Sequence, residues 1–342
     1  MSDDRPDVGP NRISVEALMR IVEAVLAANG FSQPNACVLA GIIVAAERDG
    51  SKSHGLFRLK GYLAEVAGGW ADGAATPVVE DKADCVIRVD ARNGYCQPAY
   101  RASRDLLVAK TRKHGLAALS IRNSHHLAAL WHEVEDLAEA GLVGLAYRNG
   151  RSHVVPWGGR QRLLGTNPMA FACPGTNGPL VWDLATALMA RGEIMLAAEK
   201  GESVPGNAGV DRHGMPTSDP RLILDGGAQL AFGGHKGSLI SLMIEVMAGA
   251  LTGSLLSYED RSGETAGAQT SKSGELIVAI DPSLTAGDDF CERVDALVTR
   301  LRESGARVPG EARRTKRRDA EMNGIAVDPD MLANLKRLTA GS

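Results

Sequence analysis

The chain has 342 residues, 44% apolar and 23% charged, with a formal net charge of −3, enough apolar material for one large or two modest cores. Its 38 basic and 41 acidic residues nearly cancel, which leaves no net positive field for a nucleic acid or an anionic membrane surface. Five scattered cysteines (Cys37, Cys85, Cys96, Cys173, Cys291), with no C-x-x-C pair, exclude a readable disulfide framework or zinc knuckle and fit a reducing, cytoplasmic compartment. The polar stretch Met1 to Asn11 lacks the basic and apolar regions of a secretory signal.

Ser14 ahead of Val15, Leu18, Met19, Val22, Val25 and Leu26, closed by Gly30, predicts a capped amphipathic helix. A second helix is expected over about residues 34–48, and a third from near Ser53 that carries Leu56, Leu59, Leu63 and Val66 inward. Past Gly68-Gly69 come short runs of strand composition at 85–90, 116–121, 142–147, 169–173 and 180–182, with helical patterns at 97–114 and 127–140 between them. Residues 239–256 are interrupted by Glu245 and glycines. They are too mixed to span a membrane and read as a buried core helix, within a helical pattern over 236–251. A last strand at 276–280 precedes a helix at 288–303, and the tail then turns basic. The expected class is α/β of the α+β kind. A discontinuous helical domain (1–75 with 282–342) flanks a sheet domain (76–281), because chain ends usually lie together at the surface.

Neither G-x-G-x-x-G nor G-x-x-x-x-G-K-[ST] occurs, which disfavours the standard nucleotide folds. H-E-x-x-H is also missing, so no metal is expected. A hydrolase metal site on His125, His126 and His132 is a minor alternative, and the plain reading of His132 is a solvated helix residue. The segment Arg48-Asp-Gly-Ser-Lys-Ser-His-Gly-Leu-Phe-Arg58 is more informative. If a helix starts near Ser53, His54 and Arg58 share a face, where an imidazole and a forked guanidinium reach one small anion; a capped helix start with a surface arginine gives the same pattern. Asn123-Ser-His-His126 sits between a strand and a helix, where free backbone N–H groups suit an anionic cofactor, or a simple helix cap. Gly165-Thr-Asn-Pro168 and Asp183-Leu-Ala-Thr186 punctuate strand ends, and Phe232-Gly-Gly-His-Lys-Gly237 opens a helix with glycines and a cation.

Ser53-His-Gly with Arg58, Arg122-Asn-Ser-His-His126, Pro156-Trp-Gly-Gly159, Leu164-Gly-Thr-Asn-Pro168, Asp183-Leu-Ala-Thr186, and Gly233-Gly-His-Lys-Gly237 followed by Glu245 together resemble the type-2 malate/L-lactate dehydrogenase family of NAD(P)-dependent oxidoreductases. The likeness runs from about residue 14 to about residue 325. Residues 48–55, 124–131 and 223–228 look most like the members that reduce cyclic imine carboxylates, Δ1-pyrroline-2-carboxylate to L-proline and Δ1-piperideine-2-carboxylate to L-pipecolate. The resemblance implies a non-Rossmann NAD(P)-binding domain with a mostly antiparallel sheet, a homodimer, and NADPH as cofactor with NADH possible. Its substrate is a small cyclic imine carboxylate, with no nucleic acid or membrane partner. It implies Ser53, His54 and Glu193 as catalytic, and Arg58 and Thr166 as substrate contacts. His126, Leu127, Ala128, Ala129, Leu130, Ala185, Thr186, Ala187, His235 and Lys236 are the implied cofactor contacts.

Glu193 falls where the imine reductases resemble one another in an Asp and many hydroxy-acid members carry a Lys. A carboxylate that reached His54 would favour the charged ring. His54, with an ordinary pKa near about 6.5, is then expected to hand a proton to the imine nitrogen at neutral pH, with His126 as second candidate. The basic tail (Arg313, Arg314, Lys316, Arg317) would meet the 2′-phosphate of NADPH, although such runs are commonly solvated helix faces. The alternative function is an NAD(P)-dependent dehydrogenase of 2-hydroxy acids such as malate, lactate or ureidoglycolate.

Overall fold

The computed structural model describes residues 12–339; the stretch Met1 to Asn11 lies outside them. Helix α1 (Val15–Ala28) starts where Ser14 Oγ accepts the Ala17 N–H at 3.1 Å, and it buries Leu18, Val22, Val25 and Leu26. Helix α2 (Gln33–Arg48) packs beside it through Leu39 and Ile43. The third element departs from expectation. Two 3-10 turns, Lys52–His54 and Leu56–Arg58, precede α3 (Leu59–Ala67). The buried Glu47 at the end of α2 is the cause, since its carboxylate accepts the Leu56 N–H at 3.0 Å. Gly55 lies so close that a Cβ there would come 2.3 Å from Glu47 Oε2. The chain is thereby held against α2 and bent off an α-helical path.

The two ends of the described chain meet. Strand β1 (Arg12–Ile13) pairs with β13 (Ile325–Ala326), and Ala320 and Leu335, from α10 (Glu311–Asn323) and α11 (Pro329–Leu338), join the apolar cluster of α1, α2 and α3. Helix α9 (Phe290–Glu303) goes elsewhere: Asp295 accepts Asn177 Nδ2 at 3.2 Å, beside the turn that follows residue 173.

The central sheet has seven strands in the order β2 (Val78–Ala83), β3 (Val86–Asp90), β4 (Leu116–Ser124), β12 (Ser273–Ile280), β5 (Val143–Arg148), β7 (Met169–Cys173), β8 (Leu180–Leu184). Every pairing is antiparallel except β3 with β4. Alternate residues Ala117, Leu119 and Ile121 turn inward, in one apolar cluster with Leu107 of α4 (Cys96–His114) and Val134 and Leu137 of α5 (Trp131–Glu139). A second sheet, ordered β10 (Pro216–Thr217), β9 (Gly209–Val210), β11 (Ala228–Leu230), β6 (Val154–Val155), lies in the part of the chain that also holds α6 (Arg191–Lys200) and α7 (Pro220–Leu224). Strands of two or three residues carry no readable periodicity, and none of these was expected.

Helix α8 (His235–Ile244) runs into a π-helical turn, Glu245–Ala250. The expectation of a buried core helix is corrected here: Leu239, Leu242, Met243 and Val246 are between 42% and 61% exposed. Their spacing is that of one apolar helix face, turned outward. The inner face is anchored by Glu245, whose buried carboxylate accepts Asn149 Nδ2 (3.1 Å), Asn167 Nδ2 (2.8 Å), the Ser257 N–H (2.6 Å) and the Ser257 hydroxyl (2.7 Å). Among the described residues, no helix is long and apolar enough to cross a membrane.

Candidate active site

The 3-10 turns set the first group of residues. Ser53 Oγ lies 3.0 Å from His54 Nδ1, and Arg58 Nε donates to the Ser53 carbonyl at 2.8 Å. This bond folds the guanidinium back over the turn and leaves its terminal nitrogens without a partner among the described residues. His54 and Arg58 thus sit together, by a kinked turn and a side-chain bond to the backbone. Burial, then the Arg58 charge, then His126 push His54 down to about 4. The expected charged imidazole is therefore corrected: in this chain His54 is neutral at pH 7. No carboxylate offsets the effect. Glu193 stands in the first turn of α6, where its carboxylate accepts the Ala190 N–H at 3.2 Å.

Beyond β4 the chain is irregular, and α5 begins at Trp131, later than the pattern predicted. Asn123 takes a left-handed φ of +52° and donates to Asp90, while His125 Nε2 meets Asn93 Oδ1 at 3.1 Å. Leu127 is buried among the helices, and Ala129 and Leu130 are buried against the sheet. The Leu130 N–H donates to Asp183 Oδ2 at 3.2 Å, a carboxylate that the sequence reading placed only in a strand-end turn. His132 is no solvated residue. It is buried, stacks on Trp131 with ring centroids 3.7 Å apart, and is pushed well below its usual pKa by that burial.

His125, His126 and His132 thus have separate surroundings and form no common ligand set among the described residues. His126 Nε2 instead faces Glu133 Oε1 at 3.8 Å and Glu275 Oε2 at 3.6 Å. Arg148 Nη1 lies 3.3 Å from the same Glu275 oxygen. Sequence reasoning missed Glu133, Glu275 and Arg148. The available signal was a lone Glu at the head of the apolar strand Ser-Gly-Glu-Leu-Ile-Val-Ala-Ile.

A second group forms where the loop at 164–168 meets 185–187. The Thr186 N–H and hydroxyl both donate to the Thr166 carbonyl, at 2.8 and 2.9 Å, and Ala187 bridges Ala231. A third group is the head of α8. Gly233 and Gly234 have positive φ (+57° and +61°), and a Cβ on Gly237 would sit 1.9 Å from the Phe232 carbonyl oxygen. This backbone borders a cleft of about 260 Å³ lined by Val155, Trp157, Leu230 and Ser238, with the His235 ring 6.1 Å from that of Trp157. His235 and Lys236 are exposed at its rim.

The basic tail is mostly engaged. Arg317 pairs with Asp49 and Glu135, and Arg314 donates to the Pro179 carbonyl at 2.7 Å. The Arg313 guanidinium lies 4.4 Å over the Trp131 ring, with its buried Nη1 unpartnered. A set the sequence did not reveal is Arg151, Arg162 and Arg191. Burial and these three charges push His153 to about 3.

Comparison with known proteins follows the same lines. The family described as malate/L-lactate dehydrogenase matches residues 13–336. The chain is 46% identical over 340 residues, 99% of each sequence, to a Δ(1)-pyrroline-2-carboxylate/Δ(1)-piperideine-2-carboxylate reductase of Pseudomonas syringae pv. tomato. Its identity to the Pseudomonas putida protein of that name is 48% over 330 residues, 96% of each. The crystal structure of Δ1-piperideine-2-carboxylate reductase from Pseudomonas syringae pvar. tomato superposes with a TM-score of 0.94 at 46% identity, covering 96% of this chain and all of that one. Malate dehydrogenase from Entamoeba histolytica, 22% identical with a TM-score of 0.87 over 96% of this chain and 97% of that one, shares the fold. The expected mixed α/β fold with a mostly antiparallel sheet is the one observed.

Proposed function

This chain belongs to the malate/L-lactate dehydrogenase family, a family of oxidoreductases, and from that premise we propose that it is an NADPH-dependent reductase of Δ1-pyrroline-2-carboxylate and Δ1-piperideine-2-carboxylate. The observation that carries this reading is the Ser53–His54–Arg58 turn. Arg58 grips the ring carboxylate with its unpartnered terminal nitrogens, which fixes the face of the C=N bond presented. The Ser53 hydroxyl occupies His54 Nδ1, which leaves Nε2 as the nitrogen that meets the substrate. Burial holds His54 down first and the Arg58 charge second; a bound substrate carboxylate cancels the second of these and adds its own charge, so His54 gains proton affinity when an acid is needed. Thr166 closes the substrate contact.

NADPH, when bound, supplies the hydride that adds to the imine carbon. The residues present fit such a group: a glycine-formed cleft at the head of a ten-residue helix and an unpartnered Arg313 nitrogen. The residues that would hold it, without a Rossmann unit, are His126 to Leu130, Ala185 to Ala187, His235, Lys236, Arg313 and Arg314. Arg314 already gives one nitrogen to Pro179. In this reading the active unit is a homodimer, which would cover the outward stripe Leu239, Leu242, Met243 and Val246. Glu193 is the third member of the catalytic set in this reading. Two apolar clusters support a division into a helical unit (1–75 with 282–342) and a sheet unit (76–281), although Tyr95 and Leu127 join the helical cluster and α9 stands against Asn177 of the sheet unit. Five unpaired cysteines support a cytoplasmic site.

Side-by-side assay tests this. With Δ1-pyrroline-2-carboxylate and NADPH, kcat/KM should exceed that with pyruvate, oxaloacetate or NADH by roughly tenfold or more, in a preparation that sediments at twice the 36.0 kDa chain mass. Turnover of the 2-oxo acids without turnover of the cyclic imine would instead establish the 2-hydroxy-acid dehydrogenase.

A further inference from the structure

An imidazole and two carboxylates face one another in the buried interior, and the donors that reach the facing oxygens come from outside the trio. His126, Glu133 and Glu275 are at most 4% exposed at their side chains, with His126 Nε2 3.6 to 3.8 Å from an oxygen of each carboxylate. Burial pushes His126 down to about 4, against the opposite pull of Glu275. His126 Nε2 and the far oxygens, Glu133 Oε2 and Glu275 Oε1, are all buried without a hydrogen-bond partner. Buried polar atoms left so are costly unless a proton or another positive group satisfies them.

The neighbours do not supply it. Arg148 Nη1 offsets one carboxylate, at 3.3 Å from Glu275 Oε2. Gln97 Nε2 reaches Glu133 Oε1 and Cys96 Sγ reaches Glu275 Oε2, each at 3.1 Å, and both are neutral. Asp183, from β8, adds negative charge toward Glu133. Two carboxylates facing one guanidinium leave one charge uncompensated, which a single proton neutralises. The cluster also adjoins the substrate turn. His126 acts on the His54 ring, and the buried, unpartnered Tyr62 hydroxyl lies within the influence of both Arg58 and Glu133.

We propose that Glu133, Glu275 and His126 hold one proton in common at neutral pH, whatever the substrate. Burial raises both carboxyl groups, Glu133 to about 7, as expected for acids that share a site and titrate as a unit.

Infrared spectroscopy of the full chain tests this without substrate. At pH 6 the wild type should show the C=O stretch of a protonated carboxyl group, sensitive to D2O, that fades as the pH rises above 7. The band should be lost in Glu133→Gln, which removes the charge imbalance and keeps an acceptor for Gln97. Should that variant not fold, Glu275→Gln predicts the same loss. A wild type with carboxylate bands alone at pH 6, or one divalent cation per chain by mass spectrometry, overturns the shared proton.

Discussion

His54→Ala lowers the turnover of Δ1-pyrroline-2-carboxylate by roughly 10²-fold or more, the usual worth of a positioned acid, with little change in KM. The imine carbon accepts hydride only as the nitrogen gains a proton, so loss of the donor falls on kcat. The substrate's grip stays with Arg58, whose Nε bond to the Ser53 carbonyl is a backbone contact that the substitution leaves in place. Steady-state kinetics at pH 7 read this directly. Near-normal turnover would move the acid to His126, an imidazole that acts on His54.

Arg58→Lys has the opposite signature. A single ammonium cannot reproduce two parallel N–H bonds to a carboxylate, nor the Nε contact that pins the guanidinium over the turn. The expected result is a KM raised by roughly 10- to 10²-fold, with kcat falling less. In Arg58→Ala the free enzyme should also show a His54 of higher proton affinity, because the Arg58 charge, the largest cause of its depression after burial, is gone. Because His54 acts as the proton donor, the alkaline limb of the kcat/KM profile, which reports the free enzyme, should then move upward in pH. A KM near the wild-type value in either variant would take the carboxylate clamp away from Arg58.

Much of the frame was legible because burial writes itself into spacing. The 3.6-residue stripe of α1 and the alternation Ala117, Leu119, Ile121 need no tertiary information. The failures are of one physical kind: a long-range contact outweighs a local pattern. Glu47 and Gly55 convert an expected α-helix start into 3-10 turns. Residues 239–246 are apolar for an outward face, which composition cannot distinguish from a core-facing one. For the site, His54 and Arg58 were visible four residues apart. The neutral state of His54 was not, because it follows from burial and from neighbours far along the chain. Glu275 is separated from His126 by 149 residues of sequence, and no spacing rule joins them.

The most direct measurement is the titration of the His54 imidazole by NMR, assigned with His54→Ala, in the free protein and saturated with L-proline, whose carboxylate should seat on Arg58. A ring that titrates near 4 when free and at least about one unit higher with the ligand bound is the predicted result. A ring already near its ordinary value in the free protein, or one unmoved by the bound carboxylate, would contradict a proton donor switched on by its own substrate.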